Sequence, residues 1–270
     1  MNYKSINKKL WNDRVANHMA SEFYDNASFI AGRNSLNGIE LELLGDVTNQ
    51  SIAHLQCHFG QDSMSLARMG AKVTGIDFSD QAISQAKQLN AQLGLSAEFY
   101  CDDILALFSD PAAAHLAGQF DVVFASYGVL GWHPDVAAWM STARQLLKPG
   151  GRLVLVEFHP VLWMFDERFQ QFKYSYFNRG PITEQVSNSY TDGSATEQNY
   201  QEVGWNHSFA DIFAALLDQG LHVQSFTEYD YSPYPCFDNM QPCEQGYRFT
   251  HLGGIVPMVY GLVARLTTDA

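Results

Sequence analysis

Short apolar runs alternate with helical patterns through the middle of this chain, and that alternation constrains its fold more than any other feature. Five strand-like runs cover residues 52–55, 72–76, 97–101, 120–125 and 153–158. Amphipathic segments long enough for helices separate them. A strand–helix–strand order of this kind predicts a parallel sheet covered by helices.

The helices can be placed from their ends. Between residues 79 and 94 apolar side chains recur on one helical face, Ser79 can cap the start and Gly94 the end. Helices are also expected over 62–69 and 136–147, the second stopped by Pro149-Gly150-Gly151. Another fits 208–220, capped by Ser208, with Leu217 on its apolar side. Two more strands are expected at 223–228 and 258–266, with an irregular segment between them.

Composition narrows the function. The 270 residues carry a formal net charge of -13, and their 16 Lys and Arg are scattered, which argues against a nucleic-acid partner. No apolar run approaches the ~20 residues of a membrane span. The N-terminus has no apolar signal segment, so we expect a cytoplasmic protein. Four irregularly spaced cysteines argue against a disulfide framework, and Cys57 and Cys101, at strand ends, are expected to be reduced and buried.

Polar residues collect where the predicted strands end. "HLQCHFGQD", residues 54–62, lies between the first strand and its helix, where open parallel sheets bind ligands and helix amides favour anions. Asp77 ends the second strand, and its carboxylate can accept hydrogen bonds from both hydroxyls of a ribose. Asp102 or Asp103, after the third strand, can accept from an adenine amino group. Residues 125–127 would lie beneath such a cofactor.

Several of these residues also have ordinary structural interpretations. His54, Cys57 and His58 suggest a metal site, but a strand followed by a turn does not bring them together, and four ligands are lacking. Asp77 can cap the next helix, although Ser79 does so equally well. His159 is either a general base or part of a turn shaped with Pro160. The lesser candidates for polar roles at the site are Tyr127, His133, Glu157, His207 and His251.

Taken in order, the segments resemble the class I S-adenosylmethionine-dependent methyltransferases. They are "HLQCHFGQD", "VTGID", "FYCDDI", "FDVVFASYGVLGW" and "LLKPGGRLVLVEF", within residues 48–159. The first departs from the family: His54 replaces an acidic residue, and only Gly60 remains of three glycines. "LQCHFGQD", "SYGVLGW", "EFHP" and "SEFYDNASFIAG" resemble a bacterial group of methyltransferase-like proteins whose substrate is unassigned.

The resemblance implies a Rossmann-like, doubly wound α/β fold with a seven-stranded, mostly parallel sheet and a C-terminal antiparallel strand pair. It implies a helical N-terminal cap (1–48), a cofactor-binding core (49–159), an aromatic-rich insertion over the active site (160–205) and a C-terminal helix and strands (206–270). The implied cofactor is S-adenosylmethionine, with S-adenosylhomocysteine as product. The implied partner is a small-molecule methyl acceptor, for a monomer or homodimer.

The site residues expected from the strand ends and the resemblance fall into two groups. His159 and Tyr127 are the candidates for catalysis. The candidates for cofactor binding are Gln56, Cys57, His58, Gly60, Gln61, Asp62, Asp77, Phe78, Ser79, Asp102, Asp103, Ile104, Ala125, Ser126, Tyr127, Tyr24 and Phe29, with Phe23 as a further cap contact. Two other functions stay open: a non-catalytic protein that binds S-adenosylmethionine or S-adenosylhomocysteine, and a nicotinamide-dependent oxidoreductase, whose G-x-G-x-x-G loop is missing here.

Overall fold

The structure is a computed structural model that describes residues 2–188, 191 and 195–267. Its helices and strands follow in chain order. They are α1 (Tyr3–Ala20), α2 (Asn26–Ile30), α3 (Gly38–Leu44), β1 (Ser51–Leu55), α4 (Gln61–Arg68), β2 (Lys72–Asp77), α5 (Asp80–Gln92), β3 (Glu98–Cys101), β4 (Phe120–Ser126), α6 (Val136–Leu146), β5 (Leu147–Phe158), β6 (Ile182–Asn188), β7 (Ala195–Gly204), α7 (Phe209–Asp218), β8 (Leu221–Tyr229), β9 (Met240–Pro242), β10 (Tyr247–Phe249) and β11 (Val259–Leu266).

One seven-stranded sheet organises these elements, in the order β3-β2-β1-β4-β5-β11-β8. The strands from β3 to β5 pair in parallel, whereas β11 runs antiparallel to both β5 and β8. The order reverses between β1 and β4, so the loops after these two strands form the crevice in which such sheets hold ligands. The expected doubly wound fold with its C-terminal antiparallel pair is confirmed.

The inner strands of the sheet are largely buried because they carry apolar residues on both faces. One face packs against α6 and α7 around fully buried Trp139. The other packs against α4 and α5 and against cap residues such as Phe29. One expectation for α7 is wrong: Leu217 was placed on its apolar side, but 62% of its surface is exposed.

Three further expectations need correction. The turn at Pro149-Gly150-Gly151 lies inside β5, where pairing with β4 jumps from Phe120–Leu147 to Val122–Arg152 and leaves four residues, 148–151, as a bulge opposite Asp121. The segment between β8 and β11, expected to be irregular, contains the β9–β10 hairpin. Cys101 is exposed rather than buried, because it lies on an edge strand.

The cap is fastened to residues far along the sequence. The Asn7 side chain of α1 donates to the Val203 carbonyl of β7 at 2.8 Å, and its oxygen accepts from the Val203 amide at 3.0 Å. A side-chain amide that satisfies both backbone groups of one residue extends the β6–β7 ribbon onto the helix. Within the described residues no helix is long and apolar enough to cross a bilayer.

Candidate functional site

In the loop after β1, three alternate residues have the left-handed backbone conformation. Gln56, His58 and Gly60 have φ angles of 54°, 51° and 80°. Such a conformation costs a non-glycine residue about 1–2 kcal/mol, so other contacts must hold it. The Gln56 side chain provides two of them: it donates to the Val129 carbonyl and accepts from the Trp139 indole, both at 2.9 Å. The loop after β1 is thereby joined to the loop after β4.

Gly60 has no room for a side chain. A Cβ there would lie 2.6 Å from the Phe99 ring, and one at Gly75 would lie 2.8 Å from the Cys57 sulfur. Cys57 therefore fills the space above Gly75. Burial raises the pKa of its thiol, so Cys57 packs as a neutral side chain.

Asp77 lies directly beneath this loop. Its carboxylate accepts from the His58 amide at 2.9 Å and from the Ser79 amide at 2.8 Å. Burial raises its pKa to about 6, although these hydrogen bonds act in the opposite direction. An ionised carboxylate can accept about four hydrogen bonds, so capacity remains for ribose hydroxyls. The Ser79 hydroxyl accepts from the Ala82 amide, so Ser79 caps α5 as predicted.

The residues after β3 turn toward the cap. Asp102 accepts from the Asp103 amide at 2.8 Å, and Asp103 accepts from the Leu105 amide at 3.0 Å. The second Asp103 oxygen forms an ion pair with Lys4 of α1 at 2.5 Å. Ile104 is buried beside them, and Phe78 is half-buried at the end of β2.

One face of helix α1 packs against this edge of the sheet. One turn after Lys4, Lys8 pairs with Asp80 at 3.0 Å, and one turn later Asn12 accepts from the Ser79 hydroxyl at 2.6 Å. Residues 4, 8 and 12 share a helical face because they are four apart. Helix α1 therefore covers the residues predicted to bind the adenosine part of a cofactor.

Near its C-terminal end, α1 contacts the loop after β1 through a pair of histidines. His18 Nδ1 and His58 Nε2 are 2.9 Å apart. Burial lowers the pKa of His18 to about 3 and that of His58 well below its ordinary value. Both rings are therefore neutral, and one donates its N–H to the other. The Trp11 ring packs edge-on against His58 at 5.5 Å between centroids.

The remaining cap residues support the same loop. Tyr24 packs on Phe59 at 4.7 Å between ring centroids, and its carbonyl accepts from Gln61. Phe29 is fully buried under the Arg68 guanidinium, 4.5 Å from the ring centroid. The structure places Phe29 in the packing between cap and α4, where its ring stabilises the cap.

Tyr127, just after β4, contacts Glu40, a residue not identified from the sequence. Tyr127, whose φ is 50°, donates its hydroxyl to Glu40 of α3 at 2.8 Å. Ala125 is buried and Ser126 half-buried just before it. Glu40 lies three residues after Asn37, a spacing typical of a capping box. This spacing accounts for Glu40 within its own helix and gives no indication that it approaches Tyr127.

Glu157 anchors the loop that carries Tyr127. Its carboxylate accepts from the backbone amides of Gly128, Val129, Leu130 and Phe158. Burial raises its pKa, while the four amides act in the opposite direction. All four of these hydrogen bonds come from backbone amides, so Glu157 holds the loop in place.

His159, just after β5, makes a different set of contacts from Tyr127. Its Nε2 is 2.8 Å from Glu228, and its Nδ1 accepts from the Val161 amide at 3.1 Å. The ring packs against Phe209 and Tyr260. Both ring nitrogens are engaged, so this arrangement favours the turn-shaping interpretation, and the two residues predicted for catalysis are not brought together.

The other candidate histidines differ in whether their Nε2 atoms have a hydrogen-bond partner. His207 Nε2 lies 2.8 Å from the His133 carbonyl, and His251 Nε2 lies 2.6 Å from the Phe169 carbonyl. His133 Nε2 is buried without a hydrogen-bond partner among the described residues. Burial lowers the pKa of His133 to about 4, and Asp103 is close enough to oppose that shift. A buried polar atom without a partner, beside Asp103, fits a site that receives a polar ligand.

The candidate metal ligands serve other contacts. His54 Nδ1 lies 2.8 Å from the Ser63 hydroxyl, and His58 pairs with His18. Asp62, predicted as a cofactor contact at the start of α4, accepts from the Ser35 hydroxyl at 2.6 Å. Across the part of the chain that the structure describes, no three His, Cys, Asp or Glu side chains are grouped to hold a metal ion.

Comparisons with known proteins agree with this geometry. Residues 53–153 match a family described as a methyltransferase domain. The chain is 32% identical over 135 residues to the demethylmenaquinone methyltransferase of Lactococcus lactis, covering 48% of this chain and 51% of the relative. It is 30% identical over 124 residues to the ubiquinone biosynthesis O-methyltransferase of Xanthomonas axonopodis, covering 45% of this chain and 49% of the relative. The chain thus spans about half the length of these curated relatives.

Solved structures share the fold at low identity. An S-adenosylmethionine-dependent methyltransferase of Mesorhizobium loti aligns with a TM-score of 0.56 and 18% identity, over 87% of this chain and 99% of that one. The cyclase SpnF aligns with the same TM-score and 14% identity, over 95% of this chain and 93% of that one. A fold hosts more than one chemistry, so the activity has to be argued from the site.

Proposed function

We propose, from the match of residues 53–153 to a methyltransferase domain and from the order of the sheet, that the chain is an enzyme that binds S-adenosylmethionine at the carboxyl ends of β1 to β4. It transfers the sulfonium methyl to a small-molecule acceptor. One observation carries the proposal: the buried Asp77 carboxylate ends β2 against the loop after β1. The loop keeps a ligand-ready shape without two of the family's glycines, since Gln56 and Asp77 hold it.

The residues present fit the cofactor. Asp77 would take the ribose hydroxyls, Asp102, Asp103 and Ile104 the adenine, and the loop of residues 56–62 the methionine part. His133 Nε2 offers an unused polar atom near Asp103. The bound cofactor would supply a methyl group already activated by positive sulfur. The chain's own residues therefore have to hold the acceptor in line and exclude water.

The wider proposal concerns partners and location. One curated relative is named as a demethylmenaquinone methyltransferase and the other as a ubiquinone biosynthesis O-methyltransferase, which supports a small molecule as acceptor. The net charge of -13 argues against nucleic acid. Four free cysteines suit a reducing cytoplasm. We propose a monomer or homodimer in which residues 1–48 and 160–205 close over the site.

Calorimetric titration of the purified protein with S-adenosylmethionine, S-adenosylhomocysteine and NAD tests the proposal. We expect micromolar binding of the first two, about -8 kcal/mol, and none of NAD. Asp77→Asn is expected to weaken binding at least tenfold, since an amide offers one acceptor where the carboxylate offers two. Asp218→Asn, an exposed substitution at the end of α7, is the matched control.

Each rival function has its own outcome. Preference for NAD would establish a nicotinamide enzyme, and equal cofactor affinity in Asp77→Asn and wild type would remove the ribose assignment. The altered loop after β1 keeps a non-catalytic binding protein under consideration. Tight binding of S-adenosylmethionine without turnover across phenol, amine and thiol acceptors would favour it.

A further inference from the structure

Glu40 of the cap places a buried carboxyl group against the Tyr127 hydroxyl. Only 1% of its surface is exposed. One carboxyl oxygen accepts from the Asn37 side chain at 3.0 Å, and the other accepts from Tyr127 at 2.8 Å. The Tyr127 oxygen, having donated its proton, keeps lone pairs with which it can accept a hydrogen bond. A protic ligand beside Tyr127 would complete a chain of hydrogen bonds ending at Glu40.

Aromatic rings surround Tyr127 on its other sides. Phe158 and Tyr234 pack against it with centroid distances of 5.6 and 5.1 Å. Phe23 of the cap packs on Tyr234 at 5.2 Å, and Phe237 packs on Phe158 at 5.0 Å. All but Phe158 are half-buried. Rings from the cap, the core and the segment before β9 thus converge, a lining suited to a planar aromatic ligand.

We propose that this arrangement selects a phenol: Tyr127 contacts the acceptor hydroxyl, and Glu40, acting through Tyr127, is a positioning residue that receives the proton. The inference rests on the proposed methyl transfer and names the acceptor class. The acceptor oxygen forms the bond to the methyl carbon as the carbon–sulfur bond breaks, and that electron pair stays on sulfur. The acceptor proton moves to Tyr127 while the Tyr127 proton moves to Glu40.

The electrostatic surroundings support this direction of transfer. Burial raises the pKa of Glu40, and the nearby Asp62 carboxylate raises it further. A carboxylate in that setting is a better proton acceptor than one in water. The other titratable groups that face the pair are Cys236 and Tyr231. Both belong to the segment after β8 and are neutral near pH 7, so they do not compete for the proton.

The experiment uses 4-nitrophenol, whose absorption distinguishes phenol from phenolate, and its methyl ether 4-nitroanisole, which has no proton to give. Both are titrated into the full chain saturated with S-adenosylhomocysteine. We expect nitrophenol to bind at least tenfold more tightly than nitroanisole. Below its solution pKa, bound nitrophenol should contain a larger phenolate fraction than free nitrophenol at the same pH.

Three variants distinguish proton transfer to Glu40 from a hydrogen bond that only stabilises the fold. Glu40→Gln keeps a hydrogen-bond acceptor for Tyr127 but cannot take its proton at neutral pH, so the additional phenolate should disappear. Tyr127→Phe should remove it too, and Glu40→Gln should leave the affinity for S-adenosylhomocysteine unchanged. Glu42→Gln, an exposed change on the same helix, should behave as wild type.

The outcomes are distinguishable. Unchanged phenolate fractions in Glu40→Gln, or equal binding of nitrophenol and nitroanisole by wild type, would overturn the acceptor assignment alone. Failure of wild type to bind S-adenosylhomocysteine would overturn the methyltransferase proposal and, with it, this inference. The thermal unfolding midpoint of each variant shows that the comparison is made between folded proteins.

Discussion

At the scale of single residues, the loop after β1 is shaped by backbone conformation and by lack of space together. Gly60 and Gly94 both have positive φ, of 80° and 63°, but only Gly60 has atoms within 4 Å of an added Cβ. Gly94→Ala should therefore cost about 1–2 kcal/mol from conformation alone. Gly60→Ala should cost clearly more, because the Phe99 ring must also move. Urea unfolding of the two variants measures the difference, and equal losses would show that the contact with Phe99 is relieved without cost.

Glu157 offers a second test at this scale. It accepts four backbone amides in a buried position. Glu157→Gln replaces one oxygen with an amide that faces backbone donors, so the free energy of unfolding should fall by about 1–3 kcal/mol. The exposed substitution Glu22→Gln should stay within about 0.5 kcal/mol of wild type. If the two variants unfold at the same urea concentration, backbone anchoring is not the role of Glu157.

Single residues were predictable where spacing along one strand or helix decides the outcome. Ser79 caps α5 and Asp77 lies under the loop after β1, as strand length and capping preference indicated. Glu40 and His18 were missed because their partners, Tyr127 and His58, lie 87 and 40 residues away. No local pattern encodes a contact between a cap and a core.

At the scale of elements, we expect the docking of α1 to control access to the proposed cofactor site. His18→Ala removes the buried contact with His58 while leaving the ion pairs of Lys4 and Lys8 in place. We expect S-adenosylhomocysteine to dissociate about tenfold faster, since the cover opens more readily. Stopped-flow displacement measures the rate. Lys9→Ala, which alters an exposed residue of the same helix, is the control, and identical rates would mean that α1 does not gate release.

Elements were predicted well where hydrophobic period and caps agree, as in α5 and α7. The bulge in β5 was taken for a turn because proline followed by two glycines is typical of one. Only the neighbouring strand reveals that Leu147 already pairs with Phe120. The β9–β10 hairpin was missed because each strand has three residues, too few to show a period.

At the scale of the whole molecule, buried histidines make the fold sensitive to acid. The pKa values of His18, His54 and His133 are lowered to about 3, 3 and 4, mainly by burial. They stay neutral in the folded chain but bind protons in the unfolded chain below pH ~6.5, so the stability present above that pH is lost as pH falls. Each contributes up to about 1.4 kcal/mol per pH unit. Asp77, with its pKa raised to about 6, opposes them, as do Glu40 and Glu157, whose pKa values are also raised by burial.

The free energy of unfolding in urea should therefore decline from about pH 7 toward pH 5.5. His54→Asn should flatten this decline, because one group no longer takes up a proton on unfolding. His222→Asn, on the edge strand β8, is the control and should leave the slope as in wild type. A slope that does not change in His54→Asn would show that His54 is already charged in the folded protein.

The overall topology was predictable because it follows from the order of elements and from general rules. A strand–helix alternation leaves few arrangements, since crossover connections are right-handed. The order β3-β2-β1-β4-β5-β11-β8 then places the loops after β1 and β4 side by side. The way the cap closes this crevice was not predictable, because it depends on side chains from distant parts of the chain.

The hydrogen bonds between Asn7 and Val203 have a consequence for the order of assembly on the ribosome. The two residues are separated by 196 positions, so α1 leaves the ribosome long before its partner strand exists. The contacts of α1 with His58, Asp80 and Asp103 need only residues made before β7, whereas its attachment to the β6–β7 ribbon has to wait for Val203. The cover is thus attached in two stages during synthesis, first to the edge of the sheet and later, through Asn7, to the ribbon.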